Sequence, residues 1–379
     1  MQNILFVKKK VGESYLIWFQ NSNLFFYLQE PAWYVFNRIV NRHKVETIAE
    51  KFAARYSVSY DESLTFVTDI RKKAEEMNLP FSGKRYFETH KKEIIQHSFK
   101  PYSEHCYSMF NKVVKFSFET LELERFIHPM AEHLKAEHPP EAKFLFELFT
   151  HNGTIILRVN NVLKGSWTKN ESEFVKGRVF VELINILHNK TEADWLMTVH
   201  ASAISNGKKT ILFSASPGSG KTTFAALLKA NGYQIISDDF VPIEQNSFNA
   251  YPLPLAMSVK EGSVDLLKNY FPELKTAPSV DMGPKKKVRY LPVGNEIIEM
   301  TFPVNEFIFI KYDKTVDFRL EKIEPVEALK TLLDEAWIPA SPKNIEVFLE
   351  KILNISYYSL TYSDNQKALN AITGLFNND

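Results

Sequence analysis

One short stretch constrains this chain more than any other: residues 215–223, ASPGSGKTT, set between an apolar run at 210–213 and a helix-like run at 224–230. Glycines at 218 and 220 let a backbone curl so that its N–H groups converge on phosphate oxygens, and a helix starting directly behind them adds a favourable partial charge. A lysine and a hydroxyl next to the glycines complete the chemistry. Lys221 would neutralise the β/γ-phosphates and Thr222 would ligate Mg²⁺. The nucleotide-binding set expected from the stretch is Ser216, Pro217, Gly218, Ser219, Gly220, Lys221, Thr222 and Thr223. The pattern G-x-x-x-x-G-K-S/T is met at every fixed place except the first, where Ala215 replaces glycine.

With 379 residues the chain has length for two or three domains, each with a core of its own. A net charge of +1 supplies no broad field for nucleic acid or anionic membrane, so neither is expected as a partner. The single cysteine, Cys106, excludes an internal disulfide framework and a cysteine-based zinc site. No apolar run approaches the roughly 18–20 residues needed to span a bilayer, and the N-terminus lacks a signal-peptide layout. The expected location is therefore cytoplasmic.

Residues 14–19 and 24–28 are apolar runs separated by Asn21, Ser22 and Asn23, which predicts a hairpin. Three amphipathic helical patterns follow, carried by Ala32, Val35, Phe36, Ile39 and Val40, by Val45, Ile48, Ala49 and Phe52, and by Phe66, Ile70, Ala74 and Met77. Pro31 suits a first helical turn and Pro80 closes the unit. A small sheet with three helices is winged-helix-like, yet these helices carry many acidic residues and no basic recognition face. The order of elements, with QEPAWYVFNRIVN, VETIAEKFAARYSV and IRKKAEEMNLP, resembles the PqqD-like family over residues 1–80. That resemblance implies a clamp for the leader of a ribosomally made precursor peptide, held by strand addition at the edge of the sheet.

Between 81 and 190 an intermediate α+β region is expected, with strands at 112–118 and 154–159 and a helix at 173–187 whose apolar positions include Phe174. His128, His133 and His138 are spaced by five, which scatters them around a helix; a metal site made of these three is not expected, and they read as surface residues.

The chemical core resumes with a strand at 195–204, a turn at Asn206 and Gly207, and the strand into the glycine loop. A further strand at 233–236 delivers Asp238 and Asp239 at its end. Two carboxylates at a strand end behind a phosphate loop suit phosphoryl transfer to a hydroxyl, one holding Mg²⁺ while the other accepts a proton.

VHASAI, SASPGSGKTT and IISDDF together resemble the catalytic domain of the HPr kinase/phosphorylase family, including serine kinases of peptide-modification gene sets. The spacings agree, His200 standing 21 positions before Lys221 and Asp238 standing 17 after it. The resemblance implies an HPr kinase-like domain over 191–379 with a mixed sheet and flanking helices, an α/β architecture (α+β overall). It also implies ATP and Mg²⁺ as cofactors, Lys221 as phosphate binder, Asp238 as general base, His200 beside it, and Thr222 and Asp239 on the metal side. Lys260 and Arg289, the latter in a basic loop at 283–290, are candidate phosphate clamps. Thr223 stands where HPr kinases commonly carry an acidic residue, which points to a relative of HPr kinase rather than HPr kinase itself. The expected activity is ATP-dependent phosphorylation of a serine-type hydroxyl on a precursor peptide. A kinase for a free small alcohol or amino acid such as serine, and a nucleotide-binding scaffold without transfer activity, are the alternatives; whether the chain forms a homo-oligomer stays open.

Overall fold

The structure is a computed structural model that describes residues 4–79, 91–138, 141–216, 218–282, 287–294 and 301–377. The architecture is mixed α/β, with parallel and antiparallel pairing in one large sheet and helices around it. The chain divides into two compact units, Met1–Lys84 with Ile338–Leu353, and Arg85–Trp337 with Asn354–Asp379. Pro80 and Pro217, Gly283, Pro284, Lys285 and Lys286 lie outside the described residues.

In the first unit, β1 (Phe6–Val11), β2 (Ser14–Phe19) and β3 (Leu24–Gln29) form an antiparallel sheet in that order, followed by α1 (Glu30–Val40), α2 (Val45–Tyr56) and α3 (Tyr60–Met77). The hairpin is β2–β3. Lys8, Lys9 and Lys10 interrupt the apolar pattern of β1, so periodicity alone does not mark that strand. Ser59 caps α3 in a reciprocal box with Glu62. Ile17 and Phe19 point to the helices, packing with Trp33, Phe36 and Ala74. Leu16 and Trp18 alternate to the other face, yet both are fully buried.

In the second unit, β4 (Ser103–Met109), β5 (Lys112–Phe118), β6 (Phe144–His151), β7 (Thr154–Val159) and β8 (Val162–Trp167) form one sheet in sequential order. Around it lie α4 (Lys91–Gln96), α5 (Leu121–Glu124), α6 (His128–Ala131) and α7 (Ser172–His188), and the buried face of the sheet shares a core with α7 and with Trp195, Leu253 and Leu255. Phe174 departs from expectation: it is 64% exposed, in the first turn of α7 and off the buried stripe of Val175 and Val179. The histidines also differ. His138 is exposed, but His133 Nε2–H donates to Pro254 O (3.1 Å), and His128 stacks on His105, because the segment forms short turns instead of one helix.

The large sheet holds β9 (Trp195–Val199), β10 (Ala201–Ser205), β11 (Thr210–Ser214), β12 (Gln234–Ser237), β13 (Val241–Glu244) and β14 (Asn249–Ala250). A small separate sheet is made by β15 (Met257–Lys260), β16 (Val280–Asp281) and β17 (Lys287–Leu291). Thus residues 287–290, expected as the end of a basic loop, are extended, with 288–290 paired to β15 and Lys287 to β16. The large sheet is completed by β18 (Phe302–Tyr312), β19 (Phe318–Ile323), β20 (Ala336–Trp337) and β21 (Ser356–Tyr362), with β18 parallel to both β11 and β21. Helices α8 (Lys221–Ala230), α9 (Glu261–Leu267) and α10 (Pro325–Glu335) flank it.

Helix α11 (Pro342–Ile352) belongs to the first unit, where it packs on β1 and sets Phe348 against Phe25, 6.0 Å between ring centres. Trp18 and Phe25 are cross-strand partners on that face, so a helix more than 300 residues downstream covers the side that α1 leaves bare. The terminal helix α12 (Asn365–Asn377) returns to the second unit and buries Leu369, Ile372 and Phe376 with α8 and β21.

Candidate active site

The residues of the loop fold as a strand, a tight turn and a helix. Strand β11 is fully buried, and Gly218 and Gly220 take φ of +94° and +92°, a region that costs residues with a Cβ about 1–2 kcal/mol. Gly220 is also the N-cap of α8, and no side chain caps that helix. Its first N–H groups therefore face the loop with no side-chain acceptor, a ready anion site. Ala215 does not have positive φ and its methyl lies in the core beside Phe213 and Phe224, so alanine meets no backbone obstacle at the first position.

The expected strand at 195–204 is broken at His200 into β9 and β10, because the two halves pair with different neighbours: β9 with β13 and β20, β10 with β11 and β12. The break turns His200 toward the loop. Its Nε2 lies 3.2 Å from Asp239 Oδ1 and its Nδ1 lies 3.1 Å from Glu335 Oε2. The His200 backbone N–H also donates to Glu335 O at 2.8 Å, so the residue is tied twice to the end of α10. Carboxylate oxygens only accept, so the ring serves both partners together when both nitrogens carry hydrogen.

At the end of β12 the two aspartates point apart. Asp238 is buried, its Oδ1 accepting from Ser202 Oγ and its Oδ2 accepting from Thr222 Oγ1 at 3.1 Å. Asp239, at φ +65°, faces a cleft of about 380 Å³ and accepts from Lys221 Nζ at 2.9 Å. Burial, and then the charge of Asp239, push the Asp238 carboxyl up to about 6. Burial works the same way on Asp239, but Lys221, His200 and the more distant Lys176 hold it well below the usual carboxylate range. The two environments differ: Asp238 sits with the hydroxyl of Thr222, the group expected on the metal side, and Asp239 sits with His200, the group expected beside Asp238, in the open cleft.

Ser216, Gly218, Gly220, Lys221, Thr222 and Thr223 line the cleft, with Ser219 inside the loop and bonded through its carbonyl to Tyr312 N–H. Lys260 also lines it, its Nζ lying over Gly218. Arg289 is not brought there. Its guanidinium is bound to Glu261 and to the carbonyls of Leu274, Lys275 and Ala277, so its donors brace α9 and the following turn instead of meeting a phosphate. Lys176 of α7 lines the cleft from a part of the chain where no motif marks it. Sequence reasoning also missed Ser202, although its place two residues from His200 in VHASAI puts it on the strand that runs toward the loop. No local signal marks Glu335.

Asp238 Oδ2 and Thr222 Oγ1 lie 3.1 Å apart beside the loop, and both are hard oxygens of the kind that Mg²⁺ takes. The free N–H groups at the start of α8 and the Lys221 and Lys260 ammonium groups fit a polyphosphate.

No family model matches the chain, and no curated protein does. Among solved structures, the HPr(Ser) kinase/phosphatase from Coxiella burnetii aligns with 47% of this chain and 89% of its own at 12% identity, with a TM-score of 0.23. A likeness of that size carries no argument, and the functional reading rests on the geometry of the cleft. No helix among the described residues is long and apolar enough to cross a membrane.

Proposed function

We propose that the chain is an ATP-dependent, Mg²⁺-requiring kinase that phosphorylates a serine-type hydroxyl of a ribosomally made precursor peptide. One observation carries the phosphotransferase part: the Lys221–Thr222 pair behind the glycine loop meets two carboxylates in unlike environments, with His200 on one of them. A nucleotide-binding module alone has no use for a second, histidine-bound carboxylate in the cleft.

In this reading Thr222 and Asp238 would hold Mg²⁺, which would offset charge on the phosphate oxygens. Asp239 is the base. The acceptor oxygen forms its bond to the γ-phosphorus as the bond to the ADP oxygen breaks, and the hydroxyl proton goes to Asp239. Lys221 cannot serve Asp239 and the phosphates fully at once. Phosphate binding draws Nζ away from the carboxylate and raises its proton affinity at the step that needs it. His200, steadied by Glu335, orients Asp239, while Lys260 and Lys176 supply positive charge at the mouth of the cleft.

The peptide part rests on the first 80 residues. Their PqqD-like pattern is accompanied by a three-stranded antiparallel sheet with two edge strands, the setting that strand addition requires. Tethering the leader there would raise the local concentration of the core peptide. Such a kinase would work in the cytoplasm, where ATP and new peptides meet.

The test is incubation of the full chain with ATP, Mg²⁺ and either candidate precursor peptides or free serine, followed by mass analysis. A peptide gaining one phosphoryl group is the expected result; labelling of serine alone sinks the peptide part and leaves a small-molecule kinase. Asp239→Asn should lower turnover by roughly 10²–10⁴ with ATP affinity kept, whereas Asp238→Asn should weaken the response to Mg²⁺. The opposite pattern would restore Asp238 as the base.

A further inference from the structure

Outside the cleft, a second group of chemistry-bearing side chains stands on the five-stranded sheet. His105 on β4, Glu124 at the end of α5 and His128 at the start of α6 each bring one donor atom within 4.8 Å of the other two. His105 Nε2 lies 2.5 Å from Glu124 Oε1, and the two imidazoles stack in parallel, 4.1 Å apart at 11°. His105 and Glu124 side chains are each only 12% exposed.

We propose that His105, Glu124 and His128 form a binding site for a divalent transition ion of the zinc class. The donor set, two imidazole nitrogens and one carboxylate, is the one such ions select, and three protein ligands leave a fourth position for solvent. The ring of His128 is held from its other side. Its Nδ1 lies 2.8 Å from Oη of the fully buried Tyr107, which fixes the ring and leaves Nε2 as the nitrogen to bind with. His105 Nδ1 is buried with no hydrogen-bond partner among the described residues, so the protein does not use up the polar capacity of this ring. Thr120 caps α5 and Pro129 stands in the first turn of α6, so the two short helices place Glu124 and His128 four residues apart beside β4. An ion here would pin those helices to the sheet. The site shares no residue with the cleft and does not depend on the kinase reading.

The test uses the full chain, stripped with a chelator and dialysed, titrated with Zn²⁺ alone by calorimetry near neutral pH and separately with Co²⁺ by visible absorption. One ion per chain at micromolar affinity or tighter is expected, together with Co²⁺ ligand-field bands. His105→Gln and His128→Gln should each weaken binding roughly 100-fold, and His43→Gln, at an exposed histidine outside the group, should leave it unchanged. A wild-type chain that takes up no Zn²⁺ and shows no Co²⁺ bands overturns the proposal, as does equal binding by the double histidine variant; the wild-type spectra decide the matter should that variant fail to fold.

Discussion

Asp238 shows how one carboxyl ties stability to chemistry. Its folded value of about 6 stands above the ordinary 3.8, so the neutral form is the one the fold favours. That contribution is complete below 3.8 and lost as the pH rises through about 6. Asp238→Asn removes the cost of a buried charge. Denaturant unfolding should find the variant gaining on the wild type by on the order of 1–3 kcal/mol as the pH is raised through that window. A difference independent of pH would mean that burial does not hold the carboxyl up. Ala215 belongs to the same scale. Its methyl is core, so Ala215→Gly should cost about 0.5–1 kcal/mol in thermal or chemical unfolding while nucleotide affinity, measured by calorimetry, stays within a few-fold. A large loss of affinity would show that the methyl shapes the phosphate seat.

The strand–loop–helix from β11 to α8 works as one element, and its weak point is Gly220. A Cβ there would sit at φ +92° and 3.3 Å from Cβ of Tyr312, whose own N–H is bonded to the loop at Ser219 O. Gly220→Ala should lower ATP affinity by about tenfold, as about 1–2 kcal/mol of strain is charged to the bound form of the loop. Equilibrium titration of ATP checks this, and unchanged affinity would mean that the loop can relax toward another conformation. The element was legible before folding because each of its parts is local: glycines for the turn, lysine and hydroxyl behind it, an apolar run on either side. The break at His200 was not. Nothing in VHASAI interrupts a strand; the interruption comes from two sets of neighbours competing for its halves.

At the scale of the molecule, the first unit is completed by residues far from it in sequence. With residues 1–79 deleted, α11 would lose the sheet face that covers Phe348 and its apolar neighbours Ile345, Leu349 and Ile352. Each such side chain is worth about 1.5–3 kcal/mol when buried. The shortened chain should self-associate in sedimentation and be cut by protease within 338–353, where the full chain resists. Equal resistance in both would show that α11 holds its place without the sheet.

By itself the amino-acid sequence determined the local devices: the phosphate loop, the hairpin and three helices at the N-terminus, and a pair of aspartates at a strand end. These depend on backbone preference and short-range periodicity, which a linear reading captures. Only the tertiary structure decided which aspartate faces the cleft, because one residue of pleat and a positive φ at Asp239 send neighbouring side chains opposite ways. It alone brought Glu335 to His200, Lys176 to the loop, α11 to the N-terminal sheet and His128 to His105, and it withdrew Arg289 into bonds with Glu261. Those outcomes follow from packing between segments about 20 to 320 residues apart, whose contacts reward burial and charge pairing that no local pattern encodes.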